Sequence, residues 1–224
     1  MTCSAVIVAA GSARRMQGID KVLAPIGGEP MILRTVKAVA ESDLVEEIVL
    51  VTRAELVQTL GELCAEIGKP LRVVAGGESR TQSVLCGLAA VSADAALVAI
   101  HDGARPLVSV QVMDAAVQAA EKCGAAAPAI AVHDTIKVAK DGVVTCTPER
   151  KTLFAVQTPQ VFDTKRIRAA LEKARDLELT DDCAAAEQAG MQVRLTQGSE
   201  ENLKVTTPID ITIAEAILRR REEA

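Results

Sequence analysis

Residues 5–16 read AVIVAAGSARRM, and Lys21 follows shortly after them. The apolar run at the start has no polar alternation and is too short for an ordinary helix, which favours a strand buried on both faces of a parallel sheet. Gly11 and the small residues after it allow backbone N–H groups to approach a ligand closely. Ligands bind at the carboxyl ends of strands in open parallel sheets, so the cations that follow indicate a site for a triphosphate.

Two common phosphate-binding motifs are excluded in this segment. No Gly-Lys-Ser/Thr stands at the spacing of a Walker A loop, and Gly11 lacks the second and third glycines of the dinucleotide fingerprint. The alternative that stays open is a core strand followed by a solvated basic loop. The chemistry of helix starts and backbone nests favours phosphate binding over that alternative.

The composition limits the class of partner. The chain has 224 residues, of which 49% are hydrophobic, so it can bury a sizeable core in one domain. It contains no Trp or Tyr, and Phe154 and Phe162 are its only Phe residues, which argues against stacking of nucleic-acid bases. A net charge of −5 also argues against a polyanionic partner. Local cations within this acidic surplus predict a small phosphorylated substrate and no nucleic acid.

The cysteines form no metal or redox motif. The sequence has neither a CxxC nor a Cys/His cluster, and its six cysteines are Cys3, Cys64, Cys86, Cys123, Cys146 and Cys183. Such scattered thiols are typical of small buried hydrophobes in a reducing compartment. No apolar run reaches membrane-spanning length, and no positive charge precedes the first one. We therefore expect a soluble, cytoplasmic protein that does not contact a membrane.

The periodicity predicts one α/β domain over residues 1–224, because buried strands alternate with helices as in a parallel sheet wrapped by helices. The strands are expected near Val6–Ala10, Ile48–Val51, Leu71–Val74, Leu97–Ile100 and Pro128–Val132, and the helices around Met31–Ala40, Ala54–Glu66, Thr81–Val91 and Val110–Lys122. Later come helices near Lys165–Arg175 and Asp182–Ala189, a strand at Gln192–Leu195, and a closing helix that begins at Pro208 with Thr207 as its cap.

The alternation breaks after Val132. Ile136–Ala139 and Val143–Thr145 predict two short strands joined by an Asp141-Gly142 turn. An isolated hairpin is marginal in water, so this one is expected to pack on the rest of the domain or on a second subunit.

Polar residues gather in segments that follow the predicted strands. Gly76-Gly77-Glu78-Ser79-Arg80 allows close backbone approach to a ligand, although a plain turn is an open alternative. In His101-Asp102-Gly103-Ala104-Arg105-Pro106, Asp102 could meet a ribose hydroxyl or a metal and Arg105 an anion, whereas a local turn salt bridge is the alternative. His101 is expected to be structural.

Two late segments are less informative by themselves. Thr180-Asp181-Asp182 predicts a cap that places negative charge at a helix start. Lys204 stands in an acidic loop, where it could equally be a solvated surface residue.

Taken in order, these segments resemble one family. The combination of AAG-x-x-x-R-M and a following lysine with GGESR, SVLCGL, HDGARP, DTIK, TPQ, TDD and NLKVTTPID is similar to the 2-C-methyl-D-erythritol 4-phosphate cytidylyltransferases of the non-mevalonate isoprenoid pathway. The similarity extends from Ala5 to Leu218. It implies a Rossmann-like, mostly parallel sheet flanked by helices, with a protruding β-hairpin arm at about residues 133–156 that forms a homodimer. It also implies transfer of CMP from CTP to the polyol phosphate, with Mg²⁺ bound mainly through the CTP phosphates.

The resemblance also implies roles for individual residues, which fall into three groups. The nucleotide-binding group is Ala9, Ala10, Gly11, Gly77, Ser83, Asp102 and Ala104. The substrate-binding group is Asp102, Arg105, Thr135, Arg150, Thr158 and Lys204, with Thr135 and Arg150 reaching over from the other subunit. The catalytic group is Arg15, Lys21, Arg150 and Lys204, in which Arg15 and Lys21 hold the triphosphate and stabilise the transition state. No protein metal site is implied. The sequence departs from the family pattern at Ala13, Asp20 and Glu78.

Phosphoryl-group chemistry agrees with these implied roles, because a phosphate oxygen is already an anionic nucleophile and needs no general base. Two other functions remain open from the sequence. One is a cytidylyltransferase for another polyol phosphate, such as ribitol 5-phosphate, and the other is a nucleotide-binding protein without turnover.

Overall fold

The fold is described from a computed structural model that covers residues 2–11, 21–177 and 179–223. Its strands are β1 (Cys3–Val8), β2 (Pro25–Ile26), β3 (Glu29–Pro30), β4 (Val45–Thr52), β5 (Leu71–Ala75), β6 (Leu97–Asp102), β7 (Ala125–Ala131), β8 (Val138–Lys140), β9 (Val143–Cys146), β10 (Phe154–Val156), β11 (Gln160–Asp163) and β12 (Arg194–Gln197). Its α-helices are α1 (Met31–Ala40), α2 (Val57–Leu63), α3 (Arg80–Ala90), α4 (Val110–Cys123), α5 (Thr164–Lys173), α6 (Asp182–Gln188) and α7 (Pro208–Glu222). Short 3-10 helices span Lys21–Leu23, Ala54–Leu56 and Arg150–Thr152.

A mixed, mostly parallel sheet forms the centre of the fold. Its strand order is β10-β7-β11-β6-β1-β4-β5, and β12 also pairs with β7. Strand β1 runs parallel to both β4 and β6, and β5 continues that parallel half. Strand β11 lies between β6 and β7 and is antiparallel to both. The carboxyl ends of β1 and β6 therefore meet, with Val8 paired to Asp102.

Helices cover both faces of the sheet, which explains the apolar character of β1. Ile7 packs in a core layer with residues of α1, α2 and α4. Its neighbour Val6 points to the opposite face and packs with residues of α3, α5 and α6. A smaller apolar cluster joins Ile26 and Met31 to Ala214 of α7. Because successive side chains alternate between faces, both layers require apolar residues and the strand shows no polar alternation.

The predicted α/β class and most of its elements are confirmed. Helix α1 has the predicted bounds, and α7 begins at Pro208 with Thr207 at its N-cap. The Asp210 carboxylate accepts the backbone N–H groups of Thr206 and Thr207 at 2.7 Å, which fixes the helix start. The single helix expected over Ala54–Glu66 is wrong in detail, because a 3-10 turn precedes a shorter α2.

The hairpin predicted around Asp141-Gly142 forms a separate two-stranded sheet of β8 and β9. Both turn residues have positive φ, 51° at Asp141 and 79° at Gly142, as a two-residue hairpin loop of this twist requires. Apolar residues on and beside the hairpin are exposed, including Val143 at 69% and Phe154 at 49%. We call residues 133–156 the arm; its part in forming a dimer stays a prediction.

All six cysteines are free, and they differ in exposure. Cys3, Cys64 and Cys183 are buried, Cys86 and Cys123 are half-buried, and Cys146 on the arm is exposed. Burial raises the pKa of Cys3 to about 12 and that of Cys64 to about 11, so these thiols stay protonated and inert at neutral pH.

Among the helices of the described residues, none combines the length and the apolar character needed to cross a membrane.

Candidate active site

A cavity of about 480 Å³ opens at the carboxyl ends of β1 and β6. Ala9, Ala10 and Gly11 line it from the chain that leaves β1, and Lys21 lines it further along. Val8, Val22 and Met31 also line it, and the other lining residues come from three segments: Gly77–Arg80 with Ser83, Asp102–Ala104, and Lys204. The sheet topology thus brings together four segments that are far apart in sequence, as expected where the carboxyl ends of parallel strands meet.

Small residues make one side of this cavity tight. A Cβ atom added at Gly76 would lie 2.6 Å from the Ala10 Cβ and 2.7 Å from the Ser83 Oγ, so a side chain cannot be accommodated there. The Ser83 hydroxyl lies 2.9 Å from the Ser79 carbonyl oxygen and accepts the Gly77 N–H at 3.2 Å. The loop before α3 is therefore held by its own helix, and its residues Gly77–Ser79 line the cavity.

Asp102 is the centre of a charged cluster at the cavity wall. Its Oδ2 lies 2.8 Å from Lys204 Nζ and 3.7 Å from Arg105 Nε, and its Oδ1 lies 3.8 Å from an Arg80 guanidinium nitrogen. Burial raises the pKa of Asp102, but the charges of Lys204, Arg80 and Arg105 outweigh burial and hold it below its ordinary value. The carboxylate is therefore ionised at neutral pH and orients three cations around the cavity.

Arg80 connects this cluster to α6. Its guanidinium donates two hydrogen bonds to Asp182, at 2.8 Å to Oδ1 and 2.7 Å to Oδ2. Asp182 is fully buried, whereas its neighbour Asp181 caps α6 by accepting the Ala184 N–H at 3.0 Å. Burial lowers the pKa of Arg80, but the Asp182 carboxylate more than compensates and raises it above the ordinary arginine value. This is a bidentate ion pair between a partly exposed guanidinium and a buried carboxylate.

A buried amide network supports the loop that carries Lys204. The Gln157 side chain donates to the Ser199 carbonyl at 2.8 Å and accepts the Ser199 N–H at 3.2 Å. Asn202 donates to Gln157 Oε1 and to the Thr158 carbonyl oxygen. Arg105 in turn donates to the Asn202 carbonyl oxygen at 2.6 Å. The loop is thus attached to the end of β6 on one side and to residues 157–158 on the other.

His101 is a structural residue, as predicted. Its Nδ1 lies 3.0 Å from the Thr158 hydroxyl, which also accepts the Asp102 N–H, and its Nε2 lies 3.2 Å from the Arg105 carbonyl oxygen. Burial lowers the pKa of His101 to about 4. A neutral ring that accepts at Nδ1 and donates at Nε2 satisfies these partners, so His101 fixes the Asp102–Arg105 turn without exchanging protons at neutral pH.

The structure brings together many, but not all, of the residues that sequence analysis assigned to the site. The predicted residues that line the cavity are Ala9, Ala10, Gly11, Lys21, Gly77, Ser83, Asp102, Ala104 and Lys204. Arg105 and Thr158 lie behind Asp102 and contact it. Thr135 and Arg150 are exposed on the arm, away from the cavity lining, and Arg150 donates to the His133 carbonyl oxygen at 2.9 Å. Arg15 lies outside the described residues, as do Ala13 and Asp20.

Sequence analysis missed the functions of Asp182, Gln157 and Asn202. Asp182 was assigned to a helix cap together with Asp181, although it is the buried partner of Arg80. A sequence signal did exist, because one cap needs only one carboxylate and the second one was left without a function. The amides at 157 and 202 carry no comparable signal, since polar amides are common in surface loops.

The geometry defines a class of protein. Small residues beside exposed backbone fit a nucleoside, and cations grouped around one ionised carboxylate fit phosphates, at the ligand-binding edge of an α/β sheet. These are features of a nucleotide-binding α/β protein that acts on phosphates.

Comparison with known proteins identifies the family. Residues 3–220 match the profile of the IspD family, 2-C-methyl-D-erythritol 4-phosphate cytidylyltransferase, and the chain belongs to this family. The cytidylyltransferase of Caldanaerobacter subterraneus subsp. tengcongensis is 42% identical over 227 residues, which cover 98% of this chain and 100% of that protein. The one of Symbiobacterium thermophilum is 44% identical over 225 residues, covering 99% and 94%.

A solved structure extends this similarity to the fold. The 4-diphosphocytidyl-2C-methyl-D-erythritol synthase of Anaerococcus prevotii superposes with a TM-score of 0.88 and 31% identity, over 97% of this chain and 98% of that one. The predicted family, the α/β fold class and the nucleotidyltransferase class of enzyme are confirmed.

Proposed function

We propose that this protein transfers CMP from CTP to 2-C-methyl-D-erythritol 4-phosphate, which gives 4-diphosphocytidyl-2-C-methyl-D-erythritol and pyrophosphate in isoprenoid precursor biosynthesis. The observation that carries the proposal is the cluster of Lys204, Arg105 and Arg80 around ionised Asp102, at the wall of a cavity lined by small residues. The chain that carries this cluster belongs to the family described as 2-C-methyl-D-erythritol 4-phosphate cytidylyltransferase.

The chemistry needs positioning and charge neutralisation rather than proton transfer. A phosphate oxygen of the polyol substrate attacks the α-phosphorus of CTP, a new P–O bond forms, and pyrophosphate leaves with the electrons of the bond that breaks. His101 is buried and neutral, which agrees with a reaction that needs no general base. Lys21 lines the cavity and, with Arg15, is proposed to stabilise the charge that develops on the phosphates.

The nucleoside half of the site fits a pyrimidine. Ala9, Ala10 and Gly11 line the cavity together with Gly77 and Ser83. We propose that these residues surround the cytosine, whose 4-amino group can donate to a backbone carbonyl where uracil cannot. Asp102 and Ala104 would face the ribose. We expect a purine to clash in this half of the site, because the backbone at Gly76 packs tightly against Ala10 and Ser83.

The polyol-phosphate half of the site is proposed to combine residues of two subunits. Lys204 and Arg105 lie at Asp102 in this protomer, with Thr158 behind them. Thr135 and Arg150 stand on the exposed arm and do not line the cavity of their own protomer. Exposed apolar side chains on the arm, among them Ile136, Val138 and Val144, favour a surface that a second subunit covers. We therefore propose a homodimer in which each arm supplies Thr135 and Arg150 to the partner's site.

The residues present fit a Mg²⁺ ion that is bound mainly through the CTP phosphates. Among the described residues, no cluster of three or more His, Cys, Asp or Glu side chains could hold a metal ion. The carboxylates that line the cavity are those of Asp102 and Glu78, and Asp102 is ionised. Mg²⁺ commonly uses one or two carboxylates together with substrate phosphates, and it supplies neutralisation of phosphate charge when bound.

The chain is proposed to form a single nucleotidyltransferase domain, residues 1–224 with the arm at about 133–156, that works in the cytoplasm. Free cysteines, several of them buried, agree with a reducing compartment.

The decisive experiment is a pyrophosphate-release assay with Mg²⁺. CTP with 2-C-methyl-D-erythritol 4-phosphate should give turnover, and ribitol 5-phosphate should give little. UTP, ATP and GTP should be poor donors. Faster turnover with ribitol 5-phosphate would show that a different polyol phosphate is the substrate. Binding of CTP without pyrophosphate release, with any acceptor, would show that the protein is a nucleotide-binding module without turnover. Equal turnover with UTP would overturn the account of the base pocket.

A further inference from the structure

Asp182 stands outside the cavity lining, yet both oxygens of its carboxylate accept hydrogen bonds from Arg80, which is a residue of that lining. Its carboxylate is fully buried at the start of α6, and both of its oxygens accept from Arg80, at 2.8 and 2.7 Å. The two residues are 102 positions apart in the chain. A buried carboxylate is costly unless it is paired, so this contact is specifically built into the fold.

Within this pair, Asp182 positions Arg80 and not the reverse, because α6 is fixed independently of Arg80. Gln160 of β11 accepts the backbone N–H groups of Asp182 and Cys183 at 3.0 and 3.1 Å, and it donates to Asp181 at 2.8 Å. The backbone of residue 182 is thus attached to the central sheet. Arg80, by contrast, carries a long side chain at the first residue of α3, with many rotamers available.

Arg80 also faces Asp102. One guanidinium nitrogen lies 2.7 Å from Asp182 Oδ2 and 3.8 Å from Asp102 Oδ1, while Lys204 and Arg105 contact the other oxygen of Asp102. Asp102 therefore lies between cations on both sides, and its orientation depends on Arg80 remaining where Asp182 holds it.

We propose that Asp182 is a positioning residue for nucleotide recognition: it fixes the Arg80 guanidinium at the cavity wall, and through Arg80 it orients Asp102 toward the ribose of the bound nucleotide. The inference rests on the proposed function, since it assumes that a cytidine nucleotide occupies the cavity. Asp182 itself does not touch the nucleotide. Its loss should weaken CTP binding more than it disturbs Lys204, because Lys204 and Arg105 contact the Asp102 oxygen that Arg80 does not face.

The test compares two neighbouring carboxylates. Asp182→Asn keeps the shape of the side chain but removes its charge, whereas Asp181→Asn changes a cap that asparagine can replace. Asp182→Asn should raise the KM and the Kd for CTP about tenfold or more, because the loss of charge-assisted hydrogen bonds has an effect of that size. The same variant should change kcat and the KM for the polyol phosphate by less than about threefold. Asp181→Asn should leave all four constants within about twofold of the wild type.

A purely structural function for Asp182 gives a different result. Partial unfolding lowers the active fraction and hence kcat, with the KM for CTP unchanged, and that outcome would overturn the proposal. If Asp182→Asn does not fold, the double variant Arg80→Met/Asp182→Leu decides, because an apolar pair can replace a buried ion pair without loss of stability. A folded double variant whose KM for CTP is raised as far as that of Arg80→Met supports the proposal, because Asp182 then acts through Arg80. A KM for CTP that is wild-type, or that differs from that of Arg80→Met, refutes it.

Failure of this inference is distinguishable from failure of the proposed function. Absence of pyrophosphate release by the wild-type protein would count against the function. Normal wild-type turnover, with Asp182→Asn as active at low CTP as Asp181→Asn, would overturn only the assignment of Asp182.

Discussion

The cavity and the arm are built in opposite ways, although both are assigned to one reaction. The cavity is set by buried groups: Asp102, Asp182 and Gln157 are each hydrogen-bonded or ion-paired within one chain. The arm exposes Val143, Val144 and Phe154 to solvent, and its hairpin forms a sheet of its own. On the proposed function, the nucleotide half of the site is therefore preorganised within the protomer, whereas the exposed apolar side chains of the arm are proposed to be covered by a second subunit.

The largest effect is expected inside the cavity, for Lys21→Ala. One preorganised cation that stabilises developing charge is worth roughly 10²–10³ in kcat, so activity should fall by that factor. Arg15→Ala should behave alike, and Arg15→Lys should also be poor, because a point charge does not reproduce a bidentate contact. Pyrophosphate release at saturating CTP measures the loss. An unchanged kcat with a raised KM would restrict these residues to binding.

The second prediction joins the two regions in one experiment. Lys21→Ala and Arg150→Ala dimers should each be nearly inactive, but in a mixed dimer one site receives both changes and the other receives neither. Random reassortment across a two-fold dimer should therefore restore roughly a quarter of wild-type activity. The variants are dissociated together, reassembled, and assayed for pyrophosphate release. Confirmed heterodimers without restored activity would place the whole site within one subunit.

A smaller loss is expected when the arm surface is made acidic. Val143→Asp/Val144→Asp should weaken dimerisation and lower activity about tenfold at low protein concentration, with recovery as the concentration rises, because buried charges oppose association. The control is Ile209→Asp/Ile213→Asp on α7, where both isoleucines are also exposed. Sedimentation and activity should change only for the arm variant. A dimer that persists in the arm variant would show that the arm is not the interface.

The smallest expected effect is a fall in the free energy of unfolding at acid pH, which does not bear on activity at neutral pH. The pKa of His101 is lowered from 6.5 to about 4 by burial, so the unfolded chain binds the proton first as the pH falls. The contribution of neutral His101 to the free energy of unfolding is complete above about pH 6.5 and is lost as the pH falls from there to about pH 4. Between pH 7 and pH 5 the free energy of unfolding should fall by about 2 kcal/mol.

Chemical denaturation at several pH values measures this dependence. His101→Gln should reduce the slope, whereas His133→Gln, at the exposed histidine of the arm, should keep it. Equal slopes in the wild type and His101→Gln would show that the buried ring does not titrate as expected.

Local patterns in the sequence predicted the elements that depend on local physics. The apolar run at β1, the Asp141-Gly142 turn and the Thr207-Pro208 helix start each have a short-range cause. Each forms, although β1 begins at Cys3 and ends at Val8 instead of spanning Val6–Ala10. Strand β11 was missed because four residues between two loops carry too little periodicity, and its place between β6 and β7 is decided by the whole sheet.

The same distinction applies to the site. Residues in motifs after strand ends, such as Gly77 and Asp102, were found because sheet topology gathers strand ends. The Arg80–Asp182 pair was not found from the sequence, because a contact between residues 102 positions apart has no local signature. Lys204 was found through family resemblance alone, since its loop is polar and its ion pair with Asp102 is a tertiary contact.

The uneven exposure of the thiols provides a means of observing the arm directly. Cys146 is exposed on β9, while Cys3, Cys64 and Cys183 are buried and Cys86 and Cys123 are half-buried. A maleimide dye added at limiting concentration would react first at Cys146, without any engineered residue. Fluorescence anisotropy or energy transfer between labelled protomers would then test the proposed contact between two arms, and a titration with CTP would show whether filling the cavity alters it.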